Sequence, residues 1–348
     1  MDLIEKSINL IKGSQLKSGI IIGSHTHWAY KYCFLKDNSF SVYALDIMGD
    51  YNVGDKYYDW SSKKIIELEY KIANAIKRYK NNEKLLNSDY LYSIYNDNGI
   101  EDEQRSNFQL DGYGVWLWGI CQHMKMTNQK KDVYIKSIEL VAKYLECFWK
   151  SPCFGCWEEK DDRIHTSTLA CICGGLQEAH DIIPKNEYNK IAMEIKTYIL
   201  RNCVIEGRFS KYAFYDDIDS SLLFLALPFH VIELTDDRMI KTVSEIEKAL
   251  LNDNGLHRYG SDSYFGGGRW INLTCWLAWY YKKVGNTSKL DILINWVENR
   301  SNGNGELPEQ IIDKVLNYDY IERWKEIYGD IVCPSIWAHA MYIIAKKA

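Results

Sequence analysis

The 348-residue chain can bury one large core or two medium ones, and its 47% hydrophobic and 26% charged content is that of a soluble globular protein. A formal charge of −5 without a basic patch excludes nucleic acid as the main partner, and no apolar run reaches membrane-spanning length. The outlier is aromatic content: 12 Trp and 26 Tyr exceed what packing alone requires, and their flat faces and polar edges suit sugar rings.

The chain opens on Met1-Asp2-Leu3-Ile4-Glu5-Lys6, without the basic region, apolar run or cleavage site of an export signal. The ten cysteines are therefore expected as free thiols in a cytoplasmic protein. Residues 2–13 read as a short amphipathic helix ended by Gly13. A loop or extended run, Lys17 to Ser24, follows, with Gly19–Ile22 the fair strand candidate. The aromatic tract from Trp28 to Asn38 leads into a helix near 39–49, and Gly49 and Gly54 break the chain. A long helix is expected over 60–81, where Ile65, Leu68, Ile72, Ile76 and Tyr79 recur at helical spacing. The polar stretch 82–108 reads as a long loop that delivers Asn107-Phe108-Gln109-Leu110-Asp111-Gly112-Tyr113-Gly114 to an apolar helix carrying Trp116 and Trp118.

From there charged amphipathic helices are expected at 130–149, 185–202, 237–251 and 287–299. Apolar ones fall at about 166–181, Leu222–Leu227, 270–284 and 335–346, the last after a long loop from Ser301 to Cys333. A helix apolar all round must be buried, and an amphipathic one covers it. The twelve alternating helices thus predict an all-α fold, an (α/α)6 barrel of six inner and six outer helices forming one domain over 1–348. Loops entering the inner helices share one rim, which gathers Asp37, Asp111, Glu158, Asp217, Arg258 and Glu309. Such a cup of acids and aromatic rings is a plausible carbohydrate site.

Phe154-Gly155-Cys156-Trp157-Glu158-Glu159 stands out on that rim. Glycoside hydrolysis needs one carboxyl group to protonate the leaving oxygen and a second carboxylate opposite it. Glu158 is the candidate acid, with Glu159 the competing choice. Glu309, stiffened by Pro308, is the candidate partner, and Glu306 competes with it. Cys153-x-x-Cys156 with Cys171-x-Cys173 has the look of a zinc site. Positions i and i+2 of a helix point about 200° apart, however, so buried reduced cysteine is the better account and no metal is expected. Asp111 serves either to cap its helix or to touch substrate, and Asp217 and Asp219 read as caps. His165 is expected to cap or pack at the start of its helix, and His339 and the helical tryptophans Trp116, Trp118, Trp276 and Trp279 to lie in the core.

These motifs resemble, in order, the catalytic domain of glycoside hydrolase family 15, the glucoamylases and related glucodextranases. The resemblance rests on Ser18–Ile22, Tyr30 to Asp37, Gln109–Gly114, Trp157-Glu158-Glu159, Arg258-Tyr259 with Tyr264 and Trp270, Pro308-Glu309-Gln310 and Pro334–Ala340. It implies inversion at the anomeric carbon without a cofactor, on a small α-linked gluco-oligosaccharide. It further implies Glu158 as general acid and Glu309 as general base. Asp37, Tyr30 and Arg258 would lie at the terminal glucose, Trp157 and Glu159 beside the substrate, and Trp337 in the pocket wall. Lys36 replaces the family's arginine and loses its bidentate fork, and Arg269 replaces a common proline. Neither the N-terminal β-sandwich of many relatives nor a starch-binding module is expected.

Overall fold

Helices apolar on every side have to be enclosed, and in the structure, a computed structural model describing residues 2–102 and 108–348, they form a ring. Met1 and Asn107 lie outside the described residues. The helices are α1 (Leu3–Gly13), α2 (Leu35–Asp46), α3 (Asn52–Glu67), α4 (Glu69–Lys80), α5 (Leu110–Thr127), α6 (Asp132–Phe148) and α7 (Thr166–Ile182). They continue as α8 (Asn186–Asn202), α9 (Asp237–Leu250), α10 (Ile271–Lys283), α11 (Thr287–Glu298), α12 (Asp319–Tyr328) and α13 (Ile336–Lys347). The inner ring runs α2, α5, α7, the 3-10 helix Ser220–Leu225, α10 and α13, each packed on the next, and α13 closes onto α2. Outside it, α1 covers α13, α3 covers α2, α6 lies against α5 and α7, α8 covers α7, α9 backs the 3-10 helix and α11 backs α10. The fold is an (α/α)6 barrel.

Small residues let the inner helices approach. A Cβ on Gly114 would lie 2.6 Å from the Cys171 carbonyl carbon, and one on Gly175 2.5 Å from the Gly114 oxygen. The α5–α7 contact is therefore backbone against backbone. Trp116, Trp118, Trp276 and Trp279 are buried as expected. His339 is also core: its Nδ1 faces Ser7 Oγ at 2.8 Å and its Nε2 accepts from the Leu307 amide at 2.9 Å.

Several boundaries differ from the sequence reading. The expected 60–81 helix is two, α3 and α4, and α3 starts at Asn52, straight through Gly54. Gly54 is no breaker but a notch, since a Cβ there would lie 2.6 Å from the His123 ring. The helix expected near 39–49 begins at Leu35, which puts Lys36 and Asp37 in its first turn. Gly19–Ile22 forms no strand beyond one bridge, Gln15 to Ile21. The stretch read as a polar loop supplies β2 (Ile94–Asn96), which pairs antiparallel with β1 (Tyr32–Phe34) and sets Cys33 opposite Tyr95. The helix expected at Leu222–Leu227 is a 3-10 helix two residues earlier, Ser220–Leu225, and the loop from Ser301 to Cys333 contains α12.

Two small sheets complete the described residues. One is the hairpin β3 (Val204–Ile205) with β4 (Arg208–Phe209). The other orders β5 (Leu251–Asn252), β6 (Gly255–Leu256), β7 (Arg269–Trp270) and β8 (Gln310–Ile311) side by side on the rim. Arg269, itself in β7, is fully buried; its side chain pairs with Asp313 and lies over Trp296.

Candidate active site

The loop between α6 and α7 is folded tightly around one imidazole. Its turn is closed by Gly155 N–H to Glu159 O (3.0 Å) and Glu158 N–H to Gly155 O (2.9 Å). His165 Nε2 lies 2.9 Å from the Lys160 carbonyl, and a Cβ on Gly155 would meet the His165 ring at 2.3 Å. His165 thus packs inside the loop, and burial lowers its pKa. Within the loop Glu158 has φ 60°, a left-handed conformation that residues with a Cβ rarely adopt. Strain of this kind persists only where the surroundings enforce it.

Trp157 is anchored from behind. Its indole N–H points at both Asp219 oxygens (3.1 and 3.0 Å), and Asp219 also pairs with Lys211 at 2.9 Å. Asp219 does cap its 3-10 helix, accepting from the Ser221 amide at 2.7 Å, so its carboxylate has three partners, Ser221, Trp157 and Lys211. Glu159 is engaged too: Arg258 lies 3.4 Å away, and the Tyr259 hydroxyl donates to it. Arg258 is held by Asp262 and packs among the rings of Trp157, Tyr264 and Trp270, 5.0–5.3 Å from their centroids.

Across the rim, the sheet sets Glu309. Trp270 pairs with Gln310, the Ile271 amide donates to the Glu309 carbonyl (3.1 Å), and the Glu309 amide donates to Val332 O (3.0 Å). Glu309 is 6% exposed. Tyr30 donates its hydroxyl to Oε1, and the Tyr264 hydroxyl lies 3.3 Å from that of Tyr30, while Oε2 has no protein partner. Burial pushes the Glu309 pKa up to about 7, against the lowering effect of the Tyr30 hydrogen bond and the Arg258 charge and with a further rise from Asp37. Glu306, the competitor, stands away from this cavity beside Lys6 and Asn302.

Lys36 and Asp37 come from the first turn of α2. Lys36 donates to the Cys156 carbonyl at 2.6 Å, two residues before Glu158, and sits 5.0 Å from the Trp337 ring centroid. Its ion-pair partner is Asp111, 3.6 Å away and fully buried. Burial raises the Asp37 pKa to about 7, with Lys36 opposing and Glu158 adding to the rise.

One cavity of about 260 Å³ is lined by Tyr30, Lys36, Asp37, Trp157, Glu158, Glu159, Arg258, Glu309 and Trp337 together. Asp111 is the exception among the expected site residues. It neither faces the cavity nor caps α5; it is the buried counter-charge of Lys36. Asp217 is likewise off the cavity wall. No group of three His, Cys, Asp or Glu side chains among the described residues is arranged to hold a metal ion. Cys173, for instance, donates to the Ala192 carbonyl at 3.3 Å.

The model of "Glycosyl hydrolases family 15" matches residues 2–316. The chain belongs to this family. It is a glycoside hydrolase, 27% identical over 99% of its length to an isomaltose glucohydrolase of Kribbella flavida, of which it covers 91%. It is 23% identical over 94% of its length to trehalase 1 of Sulfolobus acidocaldarius, but spans only 57% of that protein. Among solved structures, a glycosidase point variant in complex with glucose superposes with a TM-score of 0.94 at 27% identity, over 99% of this chain and 95% of that one. No helix among the described residues is long and apolar enough to cross a membrane.

The family 15 cavity has further walls that sequence reasoning left without a role: Tyr264, Trp270, Trp324 and Tyr328. The first two appear in the sequence only as parts of a motif. The other two sit on α12, where Ile321, Trp324 and Tyr328 recur at helical spacing. That stripe was the available signal.

Proposed function

We propose that this chain is an inverting, exo-acting hydrolase that releases glucose from short α-linked gluco-oligosaccharides, with Glu158 as general acid and Glu309 as general base. The observation that carries this reading is the state of the carboxylates in the shared cavity. Glu159 is occupied by Arg258 and Tyr259, whereas Glu309 is held at one oxygen by Tyr30 and keeps Oε2 without a protein partner. Oε2 takes a proton from a water that attacks the anomeric carbon, and Glu158 gives one to the departing oxygen. A base with a pKa near 7 is well matched to proton abstraction near neutrality. Asp37 and Arg258 bind the glucosyl ring, with Trp157 and Trp337 as walls.

The relative named for isomaltose hydrolysis, matched over nearly its whole length, makes isomaltose the first substrate to test. A single barrel domain over 1–348 is part of the proposal. So is a reducing, cytoplasmic setting, which suits ten cysteines that form no disulfide. The test is an NMR time course on isomaltose, maltose, panose and trehalose. β-Glucose should appear first; initial α-glucose would overturn inversion. Glu158→Gln and Glu309→Gln should each lower kcat by about 10²-fold or more with the fold intact, and full activity in either would sink its assignment. Trehalase activity is the second reading, favoured by the relatives of that name. Faster turnover of trehalose than of isomaltose would establish it.

A further inference from the structure

The cavity deepens from exposed rings to buried carboxylates, and the rings at its mouth come from an element with little hold on the barrel. α12 contains no buried residue, and its main packing partner is the 3-10 turn Tyr264–Gly266. Gly266 makes room for it: a Cβ there would lie 2.6 Å from the Asn317 carbonyl and 3.1 Å from the Ile321 side chain. What α12 presents to the cavity is Trp324 and Tyr328. The two rings are near-parallel, 17° apart with centroids at 5.6 Å, and Tyr328 stacks in turn on Trp28 at 5.8 Å and 18°. Trp28 is 58% exposed. At the other end Trp324 meets Tyr264 edge-on at 5.0 Å. The rings therefore form one continuous aromatic wall beside Tyr30 and Tyr264, whose hydroxyls lie 3.3 Å apart.

We propose that α12 is an aromatic cap over the cavity, in which Trp324 and Tyr328 hold the leaving sugar of a disaccharide and block the path of longer chains. The inference rests on the hydrolase reading above. It accords with a cavity of about 260 Å³, just below the usual range of roughly 300–1,000 Å³ for sites that enclose drug-sized ligands. Flat ring faces with no charge suit the apolar face of a pyranose. A sugar chain continuing outward along this wall runs against the Trp28–Tyr328–Trp324 stack.

The experiment compares kcat/KM on isomaltose and isomaltotetraose for the wild type, Trp324→Ala, Tyr328→Ala and the pair, with Trp324→Phe and Tyr328→Phe as ring-preserving controls. The wild type should prefer the disaccharide. The double alanine variant should lower that preference about tenfold, mainly through the disaccharide KM, and the phenylalanine variants should restore it. Equal losses on both substrates, or an unchanged preference, would overturn the cap. If the wild type cleaves no α-glucoside, the hydrolase reading fails by itself, and calorimetry with the same two sugars decides the cap. A disaccharide-to-tetrasaccharide affinity ratio that falls about tenfold in the double variant supports it, and an unchanged ratio rejects it.

Discussion

Replacing Glu309 by Gln separates the energetic cost of this residue from its use. Gln has the same shape and can still accept from the Tyr30 hydroxyl, but it carries no charge. In the fold, burial moves the Glu309 carboxyl from its ordinary 4.5 to about 7. A raised carboxylate pKa favours folding below the unfolded value, and the benefit is lost as pH rises through the folded value. At about 1.4 kcal/mol per tenfold, keeping this charge buried above neutrality costs about 3 kcal/mol relative to the protonated form. Glu309→Gln should recover about that much at pH 8 and nothing at pH 4, where the carboxyl is protonated in both states. With an unfolding entropy of about 2.1 cal/mol/K per residue over 348 residues, this is a rise in Tm of about 4 °C at pH 8. Calorimetric melts of wild type and variant at both pH values provide the measurement. A gain of equal size at pH 4, or none at pH 8, would refute the reasoning, because the effect would then not come from the buried charge.

Two other substitutions probe the supports beneath the cavity. Lys36→Met leaves the Asp111 carboxylate buried without its counter-charge and should cost about 3–5 kcal/mol in urea denaturation. Adding Asp111→Leu should recover most of that loss; failure to do so would mean the two residues are not a pair. Asp219→Asn weakens the anchor of the Trp157 indole and strands Lys211, which is 4% exposed. It should reduce kcat/KM about tenfold or more and alter the near-ultraviolet circular dichroism of the tryptophans. Unchanged turnover would show that Asp219 only caps its helix.

The barrel is legible in the sequence because enclosure is written locally. A helix such as α10, apolar on every side, declares its own burial, and one such as α9, striped with Lys and Glu, declares its exposed face. Spacing along the chain also brings the rim motifs into one place, and nine of the ten expected site residues do line one cavity. Hydropathy could not say what each group there touches. Glu158 and Glu159 are adjacent and chemically alike. What the sequence does not show is that Arg258 and Tyr259, about a hundred positions later, engage Glu159. Asp111 reads as a cap or a ligand until Lys36 is found beside it, and Gly54 reads as a breaker until His123 fills the space against it. The cap is hidden for the same reason. A short, half-exposed helix inside a polar stretch has a weak stripe, and only the rings of Trp28 and Tyr264, from distant parts of the chain, give Trp324 and Tyr328 a place to stack. Periodicity reports whether a face is buried; partners, desolvation and the pKa of Glu309 depend on groups that only the folded chain brings together.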